Sequence, residues 1–137
     1  MKVSFDFDGT LEMKYMQIYA KELIARGVEV WVVTSRFGDN EKYQKFFKTS
    51  INVDITNNDL REITDEVGIP EKQIVFTNIK DKAEYFVKHP DFLWHLDDDW
   101  IETDLINNNT KVTGINVFGN RLCIEQAEKI IKRELNK

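Results

Sequence analysis

The sequence predicts an α/β protein: one three-layer α/β/α domain built on a mostly parallel five-stranded sheet. Three observations lead there. Short apolar, β-branched runs alternate with segments of helical period from one end of the chain to the other. Strands flanked by helices at this spacing specify a parallel sheet covered on both faces. Gly and Pro are few and fall mostly between elements, so little interrupts the alternation.

Residues 2–6 read as a buried strand. Met16, Tyr19, Ala20, Leu23 and Ile24 recur at i, i+3, i+4 on one helical face, with Arg26 in the last turn and Gly27 as the stop. Val28-Glu29-Val30-Trp31-Val32-Val33 is a second strand that ends at Thr34-Ser35-Arg36. Residues 40–49 and 58–67 read as helices, the second capped by Asn58 or Asp59 and stopped by Gly68. Gln73-Ile74-Val75-Phe76-Thr77 is a third strand, followed by a helix that starts near Asp81. Phe92-Leu93-Trp94-His95-Leu96 is a fourth strand and runs into Asp97-Asp98-Asp99. Thr113-Gly114-Ile115-Asn116-Val117 is a fifth, and residues 121–135 form a closing amphipathic helix. With no internal repeat, low-complexity tract or linker, residues 1–137 are expected to fold as a single domain.

Size and composition narrow the class. A chain of 137 residues suffices for one well-buried core and is short for two ordinary domains. Hydrophobic residues at 42% and charged residues at 31% are ordinary for a soluble globular protein. The net charge of −5 argues against nucleic acid as a stoichiometric partner, since phosphate backbones are met by basic surfaces. Cys123 is the only cysteine, which leaves no internal disulfide and no cysteine-based zinc site and fits a reducing cytosol. No apolar run approaches a membrane span, and the N-terminus enters a strand without a signal-peptide pattern. The expectation is a complete cytoplasmic domain with no membrane partner.

Asp6-Phe7-Asp8-Gly9-Thr10-Leu11 is the most informative stretch. Two carboxylates two residues apart at a strand end point the same way, because strand side chains alternate with period two. Gly9 lets the backbone turn sharply, and Thr10 offers a hydroxyl to steady that turn. Paired carboxylates in such a place bind a hard cation and can supply a nucleophile. An EF-hand also begins Asp-x-Asp, but it requires Gly at its sixth position and Glu at its twelfth. Those positions hold Leu11 and Gln17, so the EF-hand fails.

In an open parallel sheet, ligands bind beyond the carboxyl ends of the strands, where the strand order switches. The polar residues collect at those ends: Asp6 and Asp8 after the first strand, Thr34 after the second, Lys80 and Lys82 after the third, Asp97 and Asp98 after the fourth. In this order they resemble the four motifs of the haloacid dehalogenase-like (HAD) phosphohydrolases, namely Asp-x-Asp-x-Thr, a Ser or Thr, a lysine and paired aspartates. The resemblance covers roughly residues 1–105. Lys82 is preferred to Lys80 as the motif lysine, because Lys82-Ala83-Glu84-Tyr85-Phe86 is similar to the helix start that carries it in that family.

The resemblance implies a capless member with a Rossmann-like (HAD-like) fold and a Mg²⁺ cofactor held by Asp6, Asp8, Asp97 and Asp98. It implies that Asp6 is the nucleophile that forms an aspartyl-phosphate, and that Asp8 protonates the leaving oxygen and later activates water. Thr34 is implied to hydrogen-bond a phosphoryl oxygen, with Ser35 and Arg36 on the substrate side, and Lys82 to neutralise the nucleophile and phosphate. Asp8 itself points to a phosphatase, since members with other residues there run different reactions. Asp99 reads as a helix cap rather than a ligand. The implied substrate is a phosphomonoester, with a nucleotide or a phosphorylated macromolecular end as candidates.

Family caps are inserted after the first motif or between the third strand and the lysine. Here Leu11 passes almost directly into a helix, and only Asn78 to Asp81 separate Thr77 from Lys82. Such an open site needs a bulky substrate or a second copy of the chain as its lid. His95 shares Asp97's side of its strand and reads as core packing, as do Trp31, Trp94 and Cys123; His89 reads as surface. Arg36 is placed to meet a distal phosphate and Trp100 to stack on a base. Two alternatives compete. A non-catalytic phosphate-binding or regulatory module on the same fold is opposed by the intact set of polar groups. A receiver domain would carry its phosphoacceptor aspartate after the third strand, where Thr77-Asn78 stands instead.

Overall fold

The computed structural model describes residues 1–39 and 56–137; the helix expected over 40–49 lies outside the described residues. The strands are β1 (Lys2–Phe5), β2 (Glu29–Thr34), β3 (Ile74–Phe76), β4 (Phe92–Asp97) and β5 (Thr113–Asn116). The helices are α1 (Lys14–Ala25), α2 (Asn58–Val67), α3 (Lys82–Lys88), α4 (Trp100–Asn109) and α5 (Cys123–Leu135). All five strands form one sheet in the order β3-β2-β1-β4-β5, and every pairing is parallel. The expected "mostly" parallel sheet is thus wholly parallel among the described residues.

Alternation along the strands divides the core in two, and a register shift in β4 between Phe92 and His95 moves Phe92 to the face opposite Trp94 and Leu96. Val3, Phe5, Val30, Val32, Trp94 and Leu96 face one layer, where Leu23 of α1, Leu60 of α2 and Ala127 and Ile131 of α5 are buried against them. Trp94 stacks on Tyr19 with ring centres 6.2 Å apart and meets Phe5 edge-on at 5.5 Å. Val33 and Phe92 face the other layer, with Ala83 and Phe86 of α3 and Ile106 of α4. Helices therefore cover both faces, as a parallel sheet requires.

Two details differ from expectation. Helix α4 does not stand out in the sequence, because its apolar residues are interrupted by an exposed Trp100 and a run of asparagines. The N-cap of α2 is Asn57, not Asn58 or Asp59; the Asp59 carboxylate is claimed by Arg36 instead. Gly68 does stop α2, in the left-handed region with φ of 100°.

The strand order places β1 at the centre. The chain runs outward through β2 and β3 and then returns to pair β4 against β1's other edge, so the switch in direction falls at β1. The crevice beyond the carboxyl ends of β1 and β4 is where such a sheet opens to ligands.

β5 and α4 approach each other closely at Gly114. A Cβ on Gly114 would lie 2.7 Å from the Thr103 carbonyl oxygen, and the Asn107 side chain bonds both the N–H and the C=O of Gly114, at 2.8 and 2.9 Å. Gly114→Ala is expected to destabilise the protein by about 1–3 kcal/mol through overpacking against backbone, read as a lowered urea midpoint. An unchanged midpoint would show that α4 can move away from β5 freely.

Candidate active site at the carboxyl edge of the sheet

Phe5 of β1 pairs with Leu96 of β4, so Asp6 and Asp97, each one residue further on, emerge side by side. Backbone pairing continues past the strand, since the Asp6 N–H donates to the Leu96 carbonyl at 2.8 Å. The chain then turns through Phe7–Leu11. Gly9 takes φ of 75° there, and a Cβ at Gly9 would collide with the Asp98 carboxylate. Glycine is thus needed twice, for the turn and for the approach of Asp98.

The turn is not steadied as expected. The Thr10 hydroxyl is buried and finds no hydrogen-bond partner among the described residues. The backbone closes the turn instead, through Leu11 N–H to the Asp6 carbonyl at 3.0 Å and Glu12 N–H to the Phe7 carbonyl at 3.1 Å. The Glu12 carboxylate adds a bond from the Gly9 N–H. Glu12 was not singled out in the sequence, although an acid three residues after Gly9 is a signal of this kind of local closure.

Asp6, Asp97 and Asp98 each offer an oxygen within 4.8 Å of the others. The buried ammonium of Lys82 donates to Asp6 Oδ1 at 2.8 Å and to Asp97 Oδ2. His95, wholly buried, places Nε2 2.8 Å from the same Asp97 Oδ2, and its Nδ1 lies 2.8 Å from Ser4 Oγ. Asp97 Oδ1 accepts from the Asp99 N–H at 3.0 Å. Asp99 itself caps α4 by accepting from Ile101 N–H at 3.0 Å, as its position suggested.

Asp8, expected among the metal-holding carboxylates, is not in this group. Arg36 donates to both its oxygens, Nε to Oδ2 at 2.9 Å and Nη2 to Oδ1 at 2.7 Å. The same guanidinium forks Asp59, at 2.8 and 2.9 Å, and lies over the Phe7 ring at 4.9 Å. The physical reason is strand order: β2 ends beside β1, so Arg36 reaches Asp8 before any other cation does. Thr34 is buried at the end of β2, and its hydroxyl accepts from the Arg36 N–H at 3.2 Å, which among the described residues leaves its own proton free to donate. Ser35 contributes its carbonyl to Ile79 N–H at 2.8 Å. Lys80 lies apart from the acids, lining a cavity of about 220 Å³ between β3 and α3 with Phe76, Tyr85 and Lys88.

Burial dominates the electrostatics. It pushes the Asp6 carboxyl up to about 8, against the pull of Lys82 and with the help of neighbouring Asp97 and Asp98. Burial also works against charge on Asp97, but the His95 hydrogen bond and the Lys82 ammonium outweigh it and hold that carboxyl below its usual range. Lys82 is opposed by burial and yet raised, because Asp6 and Asp97 face it. Burial lowers His95, whose ring is therefore neutral. One buried ammonium thus serves Asp6 and Asp97, with Asp98 close by as a third acid, and the set is short of positive charge.

The donor set fits a hard divalent cation. All three groups are carboxylate oxygens, the ligands that Mg²⁺ and Ca²⁺ favour, and Lys82 bonds Asp6 through Oδ1 rather than Oδ2. Two metal–oxygen bonds of about 2.1 Å reach roughly 4.2 Å, so a small side-chain adjustment brings the three oxygens into one shell. Compared with protein-family models and with curated proteins, the chain matches none of them.

Lys82→Ala is expected to lower stability by about 3–5 kcal/mol, because it strands buried acids without a counter-charge. Millimolar divalent cation should recover part of that loss, while Lys80→Ala should change stability by no more than about 0.5 kcal/mol. Denaturant unfolding with and without cation measures all three. Equal losses for the two lysines would contradict the role given to Lys82.

Proposed function

We propose that the protein is a divalent-cation-dependent phosphomonoester hydrolase, working through a phosphorylated Asp6, and that it belongs among the HAD-like phosphatases. The observation that supports this most is the placement of Asp6. It is a buried carboxylate at the central strand end, bonded to a buried lysine and beside two further acids.

Asp6 Oδ2, the oxygen that Lys82 does not hold, is the attacking atom. It forms a bond to phosphorus as the ester oxygen leaves and takes up a proton. Water then attacks the phosphoryl group, releases inorganic phosphate and restores the Asp6 carboxylate. Asp6, Asp97 and Asp98 would hold a cation such as Mg²⁺, which would supply positive charge to offset that on the phosphoryl oxygens. Thr34 donates its free hydroxyl proton to a phosphoryl oxygen, and Ser35 and Arg36 stand on the substrate side. Lys82 keeps Asp6 oriented and offsets charge as it develops.

Asp8 supplies the proton to the leaving oxygen and takes one from the hydrolytic water. For this it turns away from Arg36, which retains Asp59 as a second partner. The substrate side is open. Trp100, 61% exposed just beyond Asp98 and Asp99, offers a ring face to an aromatic leaving group such as a nucleobase. A phosphorylated macromolecular end or a second copy of the chain would cover the site equally well. The Asp8–Arg36 fork favours one rival, a non-catalytic phosphate-binding module in which that acid is permanently committed.

The purified protein should hydrolyse a generic aryl phosphate with Mg²⁺ and lose this activity in EDTA. Asp6→Asn should lower turnover at least about 10³-fold, since an amide cannot form the acyl phosphate, and Lys82→Ala about 10²-fold or more, with Lys80→Ala near wild type. Asp8→Asn should accept a phosphoryl group from this activated ester and then stall, so that acid-quenched samples carry phosphate on Asp6. Near wild-type turnover by Asp6→Asn would exclude the covalent route. A wild-type protein that binds the cation and cleaves no ester would put the binding module ahead.

A further inference from the structure

His95 and Ser4 form a buried clamp on Asp97 that the roles above do not use. The two residues pair across the sheet, Ser4 of β1 opposite His95 of β4, and both are wholly buried. A carboxylate only accepts, so the neutral ring carries its proton on Nε2 and donates it to Asp97 Oδ2 at 2.8 Å. Nδ1 is then an acceptor, and the Ser4 hydroxyl supplies the hydrogen at 2.8 Å. Each polar atom of the ring is satisfied in one tautomer, and the ring packs against Phe86 with centres 5.2 Å apart. Core packing alone asks for none of this, since an apolar side chain would fill the space without the desolvation of an imidazole and a hydroxyl.

The consequence falls on the two oxygens of Asp97. Oδ2 takes both the His95 N–H and the Lys82 ammonium. Among the described residues Oδ1 takes only the backbone N–H of Asp99 and keeps a second lone pair. We infer that Ser4 and His95 are positioning residues for the cation site: they lock Asp97 Oδ2 onto Lys82 and so present Oδ1 beside Asp6 and Asp98. Outer partners of ligating groups act in this way, and their loss typically weakens metal affinity about 10–100-fold. The inference rests on the cation site of the proposed hydrolase but not on its chemistry.

The test separates the two ends of the imidazole. His95→Gln places an amide N–H near the position of Nε2 and keeps the bond to Asp97. His95→Asn reaches only as far as Nδ1 and keeps the contact with Ser4 alone. Mn²⁺ binding is measured by calorimetry on the substrate-free protein, with circular dichroism confirming the fold of each variant. His95→Asn should weaken Mn²⁺ binding about 10–100-fold, His95→Gln by no more than about threefold, and Ser4→Ala by an intermediate factor. If a variant fails to fold, Ser4→Ala, which removes one oxygen, still reports on the clamp. Wild-type affinity in both His95→Asn and Ser4→Ala would overturn the inference even if the enzyme hydrolyses phosphate esters. Equal weakening in Asn and Gln variants would also overturn it, because a merely structural ring makes no distinction between its nitrogens. A wild-type protein that binds Mn²⁺ with this ranking and cleaves no ester would leave the clamp standing and remove the proposed activity.

Discussion

One buried ammonium organises this protein's polar centre. Lys82 bridges Asp6 and Asp97 in a region closed to solvent, where a lone carboxylate would lose its charge. Most other polar features of the site follow from that bridge. Asp97 keeps its charge because it faces Lys82 and His95 together, while Asp6, with fewer donors, is the acid whose proton affinity rises. Gly9 is required because Asp98 must come close to the same centre. An arrangement with this much buried negative charge and one cation is poised to take up another positive group, which is the physical core of the proposed hydrolase.

The fold delivers these groups with little machinery. Two adjacent central strands carry Asp6 and Asp97 in register, a tight turn brings up Gly9 against Asp98, and the first residue of a seven-residue helix supplies the lysine. Hydrophobic layers on both faces hold the strands, so the positions of the acids are inherited from packing rather than from flexible loops. The guanidinium of Arg36 forms a second, more exposed centre with Asp8 and Asp59. The two centres share the Asp6-Phe7-Asp8 segment, one carboxylate to each.

Much of this was legible in the sequence, for definite reasons. β-Branched runs and helical spacing marked every strand of the sheet and most helices, because burial on both faces leaves a dense apolar signal. The closeness of Asp6, Asp97 and Asp98 was legible in their lying at strand ends of a parallel sheet, while the preference for Lys82 over Lys80 came from the family resemblance, and Asp8, read with them, lies outside the group. What escaped depended on contacts between elements. The fork of Arg36 on Asp8 and Asp59 is one such contact, which spacing along the chain does not show. His95 was read as core, and it is in the core; its bond to Asp97 required knowing that Ser4 would pair beside it. Helix α4 was obscured by its own composition, because Trp100 and three asparagines mask the few apolar residues that dock it.

The pairing of β1 with β4 also bears on how the molecule assembles. Asp6 and Asp97 lie far apart along the chain, with β2, α2, β3 and α3 between them in sequence. Until β4 docks, one edge of the central strand is bare and its terminal acid faces water. Folds rich in contacts of such long sequence separation fold more slowly than folds built on local ones. The polar centre therefore exists only where the middle of the sheet is closed: without β4 beside it, β1 carries Asp6 but not the neighbouring Asp97 that Lys82 bridges to it.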